Sequence, residues 1–230
     1  MKLRSGLKPF RRLARQFAGG LKRDNSGVAM IEFAFTAPLV LGLGMLGTET
    51  AFLVLTHMQV SQIAMQTADN ASRIGATEVL VARQVFERDI NEVFVGSEKL
   101  GEDIEIFEKG RIILSSLQQN DDGGQEIRWQ RCRGAKDWES SFGEEGDGDS
   151  GTGFPGMGEP GREITAAPGT AVMFVEVSYD YEALTPFDLF DGREITYTAA
   201  FNIRDVRDLT RLYAGGPEAD CDDFSADRPA

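Results

Sequence analysis

Several sets of residues in this chain have the types and spacings that chemistry uses. His57 is the single histidine, and Cys132 and Cys221 are the only cysteines. A base needs a nucleophile beside it, and no Ser or Cys motif accompanies His57, so no catalytic constellation is legible and the chain does not read as an enzyme. His57 reads instead as an interfacial side chain at the outer edge of an apolar span. Two stretches, Gly42 to Gly47 (GLGMLG) and Gly151 to Gly156 (GTGFPG), fit the dinucleotide pattern G-x-G-x-x-G. Neither joins a strand to a helix, which phosphate binding at a helix N-terminus requires, so no cofactor is expected. The acidic stretch EEGDGDSG hints at calcium, but with Asp147 as first ligand the twelfth position is Gly158, where a glutamate is needed. A looser calcium loop stays open. No second Cys or His stands near either cysteine, so no metal site is expected there. The remaining set is Gly27, Val28 and Glu32, in the run DNSGVAMIEFAFTAPLVLGLGMLGTET, residues 24–50. A carboxylate inside an apolar run is costly and is rarely placed there without use.

The elements that must position these residues begin with charge. The chain of 230 residues has a formal charge of −13, unevenly spread. Residues 1–23 carry eight Lys or Arg and no acid, whereas residues 61–230 hold 16 bases against 34 acids. Bases crowded before an apolar span keep that end in the cytoplasm. The spacing predicts a basic cytoplasmic leader over 1–27 and a transmembrane helix over 28–56, long enough for a bilayer core of about 30 Å. The acidic remainder then lies in the periplasm, with the anchor in the inner membrane. The apolar run is too long for a secretory signal and lacks an Ala-x-Ala site after it, which favours a retained anchor. Basic arms can bind phosphate, but this one abuts a membrane span and precedes an acidic domain, so nucleic acid is not an expected partner.

Beyond the span, a periplasmic helical segment is expected over 57–100. Val60, Ile63, Ala64, Thr67, Ala68, Ala71 and Ile74 recur at helical spacing. A second helical pattern runs through Val81, Val85, Phe86, Ile90, Val93 and Phe94, with Gly75 marking a break. The period then changes, and a β-rich domain is expected over 101–214. Ile104 and Ile106 alternate as a strand before a turn at Lys109-Gly110, and segments 111–117 and 126–132 read as a hairpin around NDDGGQ. Residues 143–161 form a Gly-rich acidic loop unsuited to core packing. TAVMFVEVSYDYEAL and REITYTAAFNIRDV are β-branched and aromatic, the strongest strand signals in the chain. The acidic end, 215–230, reads as loose apart from Cys221. The class is therefore α+β: a long N-terminal transmembrane helix extended into the periplasm, then a β-rich antiparallel domain. Export permits a Cys132–Cys221 disulfide, which closes a loop of about ninety residues and stabilises by roughly 4 kcal/mol. Two unpaired thiols are the alternative.

Within the span, Gly42, Gly44 and Gly47 permit close helix contact, and Gly44-x3-Thr48 and Gly47-x3-Ala51 have small-xxx-small spacing. SGVAMIEF resembles the processing site of type IV prepilins: a Gly, a cut, then Glu at the fifth mature position followed by an aromatic, here Glu32 and Phe33. The wider stretch, with Glu32-Phe33-Ala34, Pro38-Leu39 and Gly47-Thr48-Glu49, resembles the TadE/TadG-like minor pseudopilins of tight-adherence (Flp-type) pili. The resemblance covers about residues 22–50 and is vague beyond. It implies a structural or assembly subunit, cut between Gly27 and Val28 by a prepilin peptidase. Its implied partners are other pseudopilins and the pilus assembly platform. Glu32 would answer the ammonium created on Val28, or that of a neighbour, and so set register during assembly. A signal-anchored periplasmic binding module or adhesin unrelated to pili is the alternative.

Overall fold

The computed structural model describes residues 26–75, 82–185 and 190–229. The basic leader as far as residue 25, Val81 and part of LTPFDLFDG lie outside them. The described chain falls into two compact units that divide between Thr50 and Ala51.

The first unit contributes the start of helix α1, Ser26–Ala71, which runs 46 residues with Pro38 inside it. Its apolar side chains there are open: Met30, Phe33, Phe35 and Leu43 are each at least 70% exposed. By length and composition this helix is sufficient to cross a membrane.

In the second unit, α1 is amphipathic in the way the sequence indicates. Val60, Ile63, Ala64, Thr67, Ala68 and Ala71 are buried. The helix ends at Ala71, and the chain turns through Gly75 at φ +118°, where a Cβ would stand 2.6 Å from the Arg83 side chain. Helix α2, Glu87–Leu100, starts later than the periodicity suggests. Phe86 is extended, its N–H bonded to the Asp89 carboxylate at 3.0 Å, and it forms a bridge with Tyr213. Val85 thus lines the core from extended chain and Phe86, half-buried, packs on the Tyr213 ring, neither in a helical turn. The expected strand around Ile104 and Ile106 is also absent. Glu102–Ile104 form a 3₁₀ turn, and Glu105 takes a left-handed conformation (φ 52°). Backbone N–H groups of Ile104 and Ile106 return to the Gly101 carbonyl, so both isoleucines serve one tight turn.

Four strands follow: β1 Gly110–Gln119, β2 Gln125–Arg133, β3 Ala171–Tyr181 and β4 Arg193–Asn202. They form one antiparallel sheet in the order β2-β1-β3-β4, with a bulge at Ser116/Leu117. The expected hairpin is present, and Asn120 shapes its turn by accepting from the N–H groups of Asp122 and Gly124 at 3.0 and 2.8 Å. One face of the sheet packs Ile112, Leu114, Met173, Val175 and Val177 with the helical residues Ile63, Ile90 and Phe94.

The other face carries a second core that corrects the reading of the Gly-rich loop. Met157 of that loop is wholly buried among Leu117, Ile127, Val172 and Phe174, and Phe154 packs alongside. Glycines at positive φ let the loop fold back on the sheet. At Gly148 (φ +75°) a Cβ would lie 2.1 Å from the Gln125 carbonyl, a close approach only glycine permits.

The C-terminal tail is likewise tied down rather than loose. Arg111, 1% exposed, donates to the carbonyls of Gly134 (2.9 Å), Asp223 (3.1 Å) and Cys221, and its guanidinium lies 4.1 Å from the centre of the Phe224 ring. Arg133 donates to the Ala226 carbonyl at 2.8 Å and to Glu98 at 2.8 Å. Acidic composition hides this order, because the tail is held largely through its backbone carbonyls, with only Ala219 buried in the core and Phe224 under the Arg111 guanidinium.

Candidate functional site

The residues singled out along the start of α1 occupy the first unit, except Ala51, which opens the second. Gly27 and Val28 lie in the first turn of α1, where the leading N–H groups have no intrahelical partner. Glu32 sits one turn further on and is exposed, as is Phe33. Four residues separate Val28 from Glu32, so the two share one side of the helix. The Thr36 hydroxyl donates back to the Glu32 carbonyl at 2.8 Å.

The small residues divide by helical angle. Gly44, Gly47, Thr48 and Ala51 follow a three-four spacing and fall on one face, whereas Gly42 points to the opposite side. A Cβ added at Gly42, Gly44 or Gly47 would meet nothing within 4 Å. Thr48 satisfies its hydroxyl on the Gly44 carbonyl at 2.9 Å, leaving that face with no unpaired donor. Glu49, in the same run, is buried.

In the second unit, Cys132 and Cys221 are bonded to each other, 89 residues apart. The bridge borders a cavity of about 360 Å³ whose walls include Arg111, Arg131, Trp138, Glu139, Glu218 and Asp220. Both arginines are committed. Arg131 meets Glu87 (2.6 Å), Glu145 (2.8 Å) and Glu218 (2.9 Å). Burial is the largest influence and opposes its charge, but the Glu87 hydrogen bond and the charges of Glu87, Glu145 and Glu218 together outweigh it and raise the pKa. Glu176 is buried, which pushes its carboxyl above the usual range. The Ser140 hydroxyl and Ser141 N–H partly offset that at 2.5 and 2.9 Å.

His57 is half-buried, with Nδ1 3.3 Å from the Tyr197 hydroxyl of β4. Among the described residues no group of His, Cys, Asp or Glu is placed to hold a metal ion. The arrangement can therefore fix the tail and loop onto the sheet, and the exposed apolar side chains at the start of α1 leave a surface open for contact. Sequence reasoning missed the Arg131 cluster and the Arg111 anchor. Arginines in the predicted strand segment EIRWQRC, deep in an acidic domain, were the available signal.

No protein-family model, no curated protein and no solved structure matches this chain.

Proposed function

We propose that the chain is a minor pilin-like (pseudopilin) structural or assembly subunit of a tight-adherence type IV pilus. In this reading α1 crosses the inner membrane with the basic leader in the cytoplasm and the β-rich domain in the periplasm. A prepilin peptidase cuts between Gly27 and Val28. The observation that carries the reading is the placement of Glu32 one turn after that bond, on a 46-residue helix. The early apolar side chains of that helix are exposed, while its later ones are packed in a domain core. Cutting leaves an ammonium on Val28. Paired with Glu32, of the same chain or a neighbour, it offsets the cost of a charge in lipid. The face made by Gly44, Gly47, Thr48 and Ala51 lets another anchor helix approach closely. Partners are the peptidase, other pseudopilins and the assembly platform. The role requires no catalysis by this chain.

Glu32→Ala tests the assignment. Cleavage should proceed at the normal rate while piliation falls at least tenfold, as counted by electron microscopy. Normal piliation in that variant removes the register role.

A further inference from the structure

A carboxylate taken out of water is normally paired with a cation. Glu176, in the middle of β3 and 1% exposed, has none. Its two oxygens accept one hydrogen bond each, from the Ser140 hydroxyl at 2.5 Å and the Ser141 N–H at 2.9 Å. Among the described residues no cation adds to these, and burial holds the carboxyl above its usual range. Lys136, just beyond β2, is committed to Asp180 and Glu194 at 2.5 and 2.8 Å. Each carboxylate oxygen has two lone-pair sites, so half of the acceptor capacity of Glu176 is unused.

Glu176 lines a cavity of about 690 Å³ between the sheet and the Gly-rich loop. Val172 and Phe174 point to the second core, and Glu176 follows on that face of β3. Thr198 pairs with Glu176 and Thr196 with Ser178 across β3 and β4, so both threonines stand on the same face. Phe154 and Glu159 of the loop line the cavity, and Trp138 and Phe142 join them. These walls are held in place. Phe142 meets Phe174 edge-on with ring centres 5.6 Å apart, and Met157 and Ile164 pin the loop through paired backbone bonds of 3.2 and 2.7 Å.

The lining restricts the ligand. It holds the rings of Trp138, Phe142 and Phe154, the carboxylates of Glu159 and Glu176, and no Lys, Arg or His. An anion would meet only like charge. A neutral sugar could stack on the rings but would leave the Glu176 charge uncompensated. A hard metal ion such as calcium needs about six or more oxygen ligands, and among the described residues no group of acids is placed to hold one. An organic cation answers every feature, since aromatic rings attract it and the buried carboxylate pairs with it.

We propose that this cavity binds a primary alkylammonium ion, with Glu176 as its counter-charge. The N–H groups of such an ion match the unused lone pairs of Glu176 and the hydroxyl oxygens of Thr196 and Thr198, and its short chain matches the rings. Ligand and ionised carboxylate then favour each other, so filling the site should lower the pH at which Glu176 titrates. The other titratable groups lining the cavity are Glu159 and Tyr197, and the cross-strand neighbours of Glu176 on β1 and β4, Ile113 and Thr198, do not titrate. The site stands whether or not the bond after Gly27 is cut.

The test titrates full-length protein in non-ionic detergent with n-butylammonium chloride by calorimetry, and follows the Glu176 carboxyl by carbon-13 NMR. Saturable binding is expected, with n-butanol and butyrate at least tenfold weaker, and the Glu176 titration should move to lower pH when the site is filled. Glu176→Gln should weaken binding at least tenfold without lowering the melting temperature, since it removes a buried charge that has no partner. Trp138→Ala, at a half-buried ring outside the second core, should weaken it at least threefold. If Glu176→Gln fails to fold, the carbon-13 titration of the wild type decides alone. Nα-acetyl-lysine methylamide separates two sources of the same group: tighter binding than n-butylammonium assigns a lysine side chain, weaker binding a free amine, and either supports the site. Absence of saturable binding, equal binding of n-butanol, tighter binding of choline or methyl glucoside, or a Glu176 titration unmoved by the amine would overturn the proposal.

Discussion

Removing the disulfide by the double substitution Cys132→Ala/Cys221→Ala should destabilise the second unit without unfolding it. The bridge joins residues 89 apart in sequence. Closing a loop of that length restricts the unfolded chain by about 4.5 kcal/mol in the chain-entropy model. The native state keeps its other ties to the tail. The Cys132 N–H still reaches Ala219, and Arg111 still holds the carbonyls of Gly134, Cys221 and Asp223. The cost therefore falls on the unfolded side of the balance. The unit extends from Ala51 to Ala230. With an unfolding entropy near 2 cal/mol/K per residue, a unit of that length should melt about 12 °C lower. The assay is calorimetry of detergent-solubilised protein under non-oxidising conditions, wild type against the double variant, with near-ultraviolet dichroism at 20 °C to check the fold. A drop of less than about 3 °C would refute the reasoning, because it would mean the unfolded chain gains nothing from release. Loss of the dichroism signal at 20 °C would refute it in the other direction, by showing that the tail is held by the bond alone.

Two further outcomes follow from the charged groups. Glu87→Gln removes the closest carboxylate from buried Arg131, 7% exposed at the side chain, and should cost about 2 kcal/mol. That lies below the usual cost of breaking a buried pair, because Glu145 and Glu218 remain on the guanidinium; a urea midpoint unchanged from wild type would show that α2 is not tied to β2 through this pair. The pH dependence should have two limbs. Glu194, held by Lys136 and Ser178, and Asp208, held by Thr210 and Tyr213, have carboxyls lowered from their ordinary values. Groups of that kind support the fold above the unfolded carboxylate pKa and lose that support as pH falls through the lowered folded value. Burial raises the Glu176 carboxyl, so its charged form is a cost at neutral pH that is relieved as pH falls through the raised value. The urea midpoint should pass through a maximum on the acid side of neutrality and then fall below about pH 4. A steady decline from pH 7 would contradict the account of Glu176.

How much of this was legible beforehand depends on what each residue contacts. The α1 stripe from Val60 to Ala71 was readable because one helical face meets one core, and the period survives unmixed. The strands at 171–181 and 193–202 were readable because their β-branched and aromatic runs have no competing pattern. The segment from Ile104 to Phe107 misled because a tight 3₁₀ turn can bury alternate apolar residues just as a strand does. The start of α2 was placed too early because Val85 and Phe86 continue the apolar periodicity from extended backbone. The Gly-rich loop and the acidic tail were misread for a common reason. Part of their order comes from backbone carbonyls bonded to Arg111, Arg133 and Asn120, and the loop's from Met157 and Phe154 set singly among glycines; composition records neither. The cysteine count left one possible intrachain bridge, and export made that bridge readable against the alternative of two unpaired thiols. The small-residue face was legible in part: spacing groups Gly44, Gly47, Thr48 and Ala51, and the same helical geometry sets Gly42 apart.

The central claim, that this is a processed pilin-like subunit, turns on one covalent bond. Intact-mass and N-terminal peptide mass spectrometry of the protein from its native membrane reads that bond directly. The account predicts a mature chain beginning at Val28, with Glu32 at its fifth position. A chain that begins at Met1 or Lys2 would contradict it and leave an anchored protein whose Glu32 has no new terminus to answer.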